Sequence, residues 1–269
     1  MNAYLWYWQE RRDWQRIIVR AEQKQVGDLW LSRAEARARL HGSLLSTYPP
    51  QRIILLATDT EQNIPEILLE TGVPVEMQYL LGTIQLPAEL ELSGHASVRR
   101  QPLFPLALWQ KQIPAADEPW LYLYLGQYPF VSLGVGKKLV DVLSYWEGEG
   151  PLGPLSTGQL PTLAWLEWLC QQKLSGAKAQ ELVRSKGGIA AYLGREWQPG
   201  EKLPPELAST VVYQSLKGLG SLWTLSQGQA RRLVLAGELL LDQQVLEPIQ
   251  NWAQARQLLV RVLPAGEEF

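Results

Sequence analysis

The strongest constraint on this chain is the length of its apolar runs. RIILLA (52–57), PVEMQYL (74–80), WLYLYL (120–125), PFVSLG (129–134) and RLVLAG (232–237) are too short for buried helices and about the right length for buried strands. Longer stretches with helical spacing separate them, at 29–46, 63–71, 161–173, 176–185, 205–225 and 242–255. Strand and helix in alternation imply an α/β layer fold. The spacing predicts a β-hairpin over 3–22 with its turn at 9–13. It also predicts three antiparallel strands over 120–146 and a last strand at 257–264. Ser32 with Glu35 three residues on forms a capping-box pattern at the head of the 29–46 helix, and Thr162 and Ser175 stand where helices begin.

The chain has 269 residues, enough for one large domain or two lobes, and prolines gather between 86 and 119. A boundary near 112–119 divides it into residues 1–115 and residues 116–269. Net charge is −2, with no basic stripe of the kind that binds nucleic acid. No apolar stretch reaches the ~20 residues of a membrane span, and the N-terminus lacks the pattern of a secretory signal. The single cysteine, Cys170, excludes an internal disulfide and predicts a reducing compartment, the cytoplasm. It sits in TLAWLEWLCQQ, where a buried, inert thiol is expected. Twelve tryptophans accompany three phenylalanines. They serve either as core packing or as stacking platforms for a ligand ring.

Several site motifs fail. GVGKK (134–138) is a fragment of a phosphate loop with no hydroxyl after the lysine to hold magnesium. There is no Rossmann fingerprint and no nucleophile elbow. One cysteine with His41 and His95 makes a poor zinc set. His41 reads as a surface residue on a helix; His95, in SGHAS, reads as either a loop residue or a site residue.

Other segments act together. VDV (140–142), EGEGPLGP (147–154), TGQLP (157–161), KGGIAAYLG (186–194) and RLVLAGELL (232–240) stand in the order and spacing of the butyrate kinases, which this half of the chain resembles. LLVRVLPAGEEF (258–269) resembles the strand and acidic loop that follow there, and RRQPLFPLALWQKQ (99–112) the entry to the second lobe. The resemblance implies a two-lobed ribonuclease H-like fold of the actin and acetate-kinase type, with a reduced first lobe over 1–115 and a nucleotide-binding-type lobe over 116–269. It implies ATP or ADP with magnesium as cofactors, a short carboxylate as substrate, and a homodimer or a protein partner. Glycines Gly126, Gly148, Gly150, Gly158, Gly187, Gly188 and Gly237 would then be the nucleotide-facing positions, because a phosphate leaves no room for side chains where backbone approaches it.

The charge-stabilising parts of that family depart here. Its Pro-Glu-Arg-Ser-Gly becomes Pro154, Leu155, Ser156, Thr157, Gly158, which puts serine at an arginine position. Its histidine and glycine run after the first strand of the second lobe becomes Tyr124, Leu125, Gly126, Gln127, Tyr128. Pro105 follows Phe104 where a histidine would stand, and Glu238 replaces a glycine. Nothing matches the family's phosphate turn of Asn-Pro-Gly and two hydroxyl residues. Arg99, Arg100 and Glu149, with Asp141 and Lys186, are the remaining candidates for catalysis. Two functions follow: a kinase of short-chain carboxylates, weak or inactive, or a regulatory or partner-binding module that keeps the fold.

Overall fold

The computed structural model describes residues 4–10, 14–21, 24–57, 64–79, 81–83, 86, 88–93, 97–98, 100–114 and 117–264. The chain folds as two compact units, residues 1–81 and 82–268. This division falls ahead of the 112–119 stretch. Residues 103–112 belong with the second unit because Phe104, Leu108 and Trp109 are buried there. Trp109 stacks on Trp120 with ring centroids 5.4 Å apart, and Phe104 meets Phe130 edge-on at 5.1 Å.

The first unit opens on a meander, β1 (Tyr4–Glu10), β2 (Trp14–Ala21) and β3 (Lys24–Ser32). Helix α1 (Arg33–Arg39) passes through a π-turn at Leu40–Leu44 into α2 (Leu45–Thr47), followed by β4 (Pro50–Ala57), α3 (Glu66–Leu69) and β5 (Val75–Tyr79). The sheet order is β3-β2-β1-β4-β5, antiparallel within the meander and parallel from β1 to β4 to β5. The hairpin expected at 3–22 is present; its turn at 11–13 lies outside the described residues. The helix expected over 29–46 begins four residues late. Residues 29–32 extend β3, because β2 offers that segment a full ladder (Ile17 pairs with Leu29, Trp14 with Ser32). The capping box is formed where the spacing placed it. Ser32 Oγ accepts from the Glu35 amide at 3.3 Å, and Glu35 Oε2 accepts from the Ser32 amide at 2.9 Å.

The second unit begins with a two-stranded ribbon, β6 (Gly82–Thr83) against β7 (Leu103–Phe104), with α4 (Ala88–Glu91) between them and α5 (Leu106–Lys111) after. Its main sheet is built from β8 (Pro119–Tyr124), β9 (Phe130–Val135), β10 (Lys138–Ser144), β11 (Arg232–Ala236) and β12 (Leu259–Val262). The order is β10-β9-β8-β11-β12, again a meander followed by two parallel strands. Helices α6 (Thr162–Gln171), α7 (Gly176–Ser185), α8 (Gly188–Leu193) and α9 (Pro205–Leu225) fill the β10–β11 connection, and α10 (Gln243–Gln254) the β11–β12 connection. The two units therefore repeat one topology, a two-lobed α/β arrangement of the ribonuclease H type.

Strand β8 lies mid-sheet with both faces covered, so WLYLYL needs no polar alternation. Leu121, Leu123 and Leu125 face the apolar core with Leu233, Leu235, Val211, Leu219, Val245 and Ile249. Trp120, Tyr122 and Tyr124 form the opposite, aromatic face with Phe130. Of the helix starts, Ser175 caps α7 through the Lys178 amide, whereas Pro161 rather than Thr162 occupies the cap of α6. Cys170 is exposed, not buried, because α6 has no buried residue. No helix among the described residues is long and apolar enough to cross a membrane.

Candidate functional site

Three of the segments that carry the sequence signal, EGEGPLGP, TGQLP and KGGIAAYLG, meet around the 147–158 loop of the second unit, whereas RLVLAGELL turns at Gly237 against Leu125 and Gly126. After β10, Tyr145–Glu147 forms a short 3-10 turn. The loop folds back on β10 through Glu149 and Gly150 amides, both bonded to the Ser144 carbonyl. The Gly153 carbonyl accepts from the Ile189 amide, and the Gly187 amide donates to Leu155 O. KGGIAAYLG is thus joined to EGEGPLGP by a backbone hydrogen bond, and TGQLP is joined to it by the Leu160 amide, which donates to the Gly148 carbonyl.

Arg100 is the centre of charge. Its guanidinium donates to Asp141 Oδ1 at 3.1 Å, to the Val142 carbonyl at 3.0 Å, to Glu147 Oε2 at 3.3 Å and to Glu149 Oε2 at 3.2 Å. Burial opposes its charge, yet the three carboxylates, Asp141 foremost, raise its pKa above the ordinary arginine value. Burial also pushes Glu147 above the usual carboxylate range, against the opposing pull of Arg100. Three of the candidates, Arg100, Asp141 and Glu149, are therefore gathered into one network, and Glu147 is a member that sequence reasoning missed. Its signal was a carboxylate flanking the EGEG glycines. Lys186 lies apart, ion-paired to Glu181, whose pKa falls to about 2 through its bonds to Lys178 and Lys186. Arg99 and His95 lie outside the described residues, and so does the side chain of His41.

The glycines sit close to the chain itself. A Cβ at Gly150 would fall within 3.0 Å of the Tyr145 nitrogen, at Gly158 of the Leu152 nitrogen, at Gly187 of the Leu182 carbonyl and at Gly188 of the Gly153 carbonyl. At Gly237, where φ is +106, it would meet the Leu125–Gly126 peptide; at Gly126 it would meet the Tyr124 phenol. Only Gly148, among these seven, has its nearest neighbours at ordinary distance, 3.9 Å and beyond.

The substituted positions are closed. Ser156 is 0% exposed, Tyr124 2% and Glu238 1%, and Pro105 is buried. Tyr145 is buried, which pushes its phenol far above the ordinary tyrosine range. Among the described residues no group of three or more His, Cys, Asp or Glu could hold a metal ion.

A search of curated proteins matches a probable butyrate kinase of Listeria monocytogenes at 26% identity over 71% of this chain and 57% of that protein. It also matches a probable butyrate kinase of Enterococcus faecalis at 26% identity over 45% of this chain and 36% of that protein. Among solved structures, the Porphyromonas gingivalis acetate kinase superposes with a TM-score of 0.60 at 11% identity, covering 99% of this chain and 97% of the other. The chain is similar in sequence to the butyrate kinases and has the acetokinase fold. A Francisella tularensis propionate kinase gives a TM-score of 0.61 at 9% identity, covering 99% of this chain and 97% of its own. The chain spans between about a third and just over half of the length of the curated proteins it matches. No protein-family model matches it.

Proposed function

We propose that this chain is a carboxylate-kinase relative that keeps the fold and has given up phosphoryl transfer, so that it acts as a binding or regulatory module. The observation that carries this reading is the burial of Ser156 and Tyr124, which stand at the positions where the resembling kinases carry an arginine and a histidine. A phosphoryl group in transfer spreads negative charge over its oxygens, and positioned cations and amides stabilise it. Serine and tyrosine supply no cation, and closed positions supply no contact. Arg100 is committed to three carboxylates. Six of the seven glycines have close neighbours in the chain's own packing, so none of the six needs a phosphate to account for it. The residues present thus fit ATP with magnesium poorly, and we assign no chemical step to them. The cytoplasm remains our assignment, on the single thiol.

The alternative is ATP-dependent phosphorylation of a short-chain carboxylate, which the names of the related proteins favour. An acyl-hydroxamate assay with ATP, magnesium and acetate, propionate, butyrate or isobutyrate separates the two. The module reading expects no activity above background. Turnover near ~10 per second, an ordinary enzyme rate, defeats it. A slower rate that is lost in Arg100→Ala means a rearranged active site.

A further inference from the structure

The second unit holds a pocket of about 320 Å³ that the network around Arg100 does not use. It opens between the 157–161 loop, α6, the Gly187–Gly188 turn with α8, and the side of α9. Its volume is at the lower end of small-molecule sites. Trp165 and Trp168, one turn apart on α6, stack with centroids 5.2 Å apart and 19° between planes, and both line it. Tyr192, 74% exposed, stands on the α8 side. A helix exposing this much apolar surface is costly in water unless something occupies it.

Two polar groups in the wall are orphaned. Thr157 Oγ1 and Gln214 Oε1 are buried and have no hydrogen-bond partner. Three other polar side chains of the wall are engaged: Gln159 between the Glu149 carbonyl and Lys217, Thr210 with the Glu206 carbonyl, and Lys186 with Glu181. Buried polar atoms in native proteins are nearly always paired, so a ligand that offers these two a partner gains by it. The one charged side chain in the wall, Lys186, is held by Glu181, which also pairs with Lys178, so the wall offers a ligand no unpaired charge.

We propose that this pocket binds a small, uncharged, planar aromatic molecule carrying an amide or similar donor–acceptor group. Its ring lies against the Trp165–Trp168 pair, and its polar group meets Thr157 and Gln214 after small rotations of those two side chains. The assignment is independent of whether the chain transfers phosphate.

Benzamide is the probe, with cyclohexanecarboxamide as its non-planar counterpart, titrated calorimetrically into the full chain. Benzamide binds at about 1 mM or tighter, within reach of a nine-atom ligand, and cyclohexanecarboxamide binds at least several-fold more weakly. Ala191→Trp, at an exposed position in the wall, fills the space and abolishes binding. Thr157→Val weakens binding several-fold while leaving the melting temperature unchanged or higher, since it removes an unpaired buried hydroxyl. No heat at 10 mM benzamide, equal binding of the two amides, or unchanged affinity in Ala191→Trp each overturns the proposal. So does sedimentation in which the chain is dimeric and Ala191→Trp monomeric, which would make this face a contact between copies.

Discussion

Gly237 shows what a single residue is asked to do. It joins β11 to the 3-10 turn at Glu238–Leu241 with φ at +106, and its missing side chain lets the Leu125–Gly126 peptide close on it. Leu239 donates to the Leu125 carbonyl across this junction. Gly237→Ala combines a backbone strain of ~1–3 kcal/mol with a comparable steric cost. A loss of about 2–4 kcal/mol in urea unfolding is expected; a loss below ~0.5 kcal/mol, the scale of a neutral surface change, would mean that the junction is loose. Arg100 makes a second case. Removing it leaves Asp141, Glu147 and Glu149 facing one another in a half-buried setting. Arg100→Ala is expected to cost about 2–3 kcal/mol at neutral pH, below the full value for a buried pair because Glu149 is partly solvated. The pH sign follows from Glu147. Its folded pKa is raised, so its charge is a cost that is present above that pKa and relieved as pH falls through it. The Arg100→Ala deficit therefore shrinks between pH 7 and pH 4.5. A deficit that grows on acidification would place the carboxylates elsewhere.

The capping box at the head of α1 is an element-scale device that the sequence announced and the structure contains. Ser32→Ala is expected to cost about 1 kcal/mol. Glu35, whose pKa is lowered chiefly by its bond to the Ser32 hydroxyl, contributes stability that is present above its unfolded pKa and lost as pH falls below it. Stability of Glu35→Gln and of the parent chain should then converge at pH 3; a constant gap would show that the charge is irrelevant to the cap. The same element shows how local reading fails. LWLS (29–32) has a helix-compatible pattern and a valid cap at its end, yet β2 claims it as strand, since pairing along one edge of the β1–β2 hairpin gives the segment partners that a first helical turn leaves open.

At the scale of the molecule, the second unit carries its own core: the cluster from Leu121 to Leu258 lies wholly within it. A chain beginning at Gly82 is therefore expected to fold alone and melt cooperatively by circular dichroism, whereas one beginning at residue 116 should be weakened by loss of the Trp109–Trp120 stack and the Phe104–Phe130 contact. Equal cooperativity of the two would show that residues 82–115 contribute nothing to the stability of the unit. The repeated sheet order, three antiparallel strands and then two parallel ones, appears only when both units are seen. The first unit hid it, because β3 was masked by a helical pattern.

The sequence by itself determined the α/β class, the 120–146 meander, the long α9, the Ser32 and Ser175 caps and the relationship to the butyrate kinases. All of these rest on periodicity, cap chemistry or ordered motifs, which act between near neighbours or survive as spacing. Only the tertiary structure decided what faces what. It joined Arg100 to carboxylates some forty residues away. It set the glycines against the chain's own backbone, closed Ser156 and Tyr124 from solvent, and left Trp165, Trp168 and Cys170 on an uncovered helix. Burial and charge pairing depend on contacts between segments distant in the chain, and residue spacing carries no record of those distances.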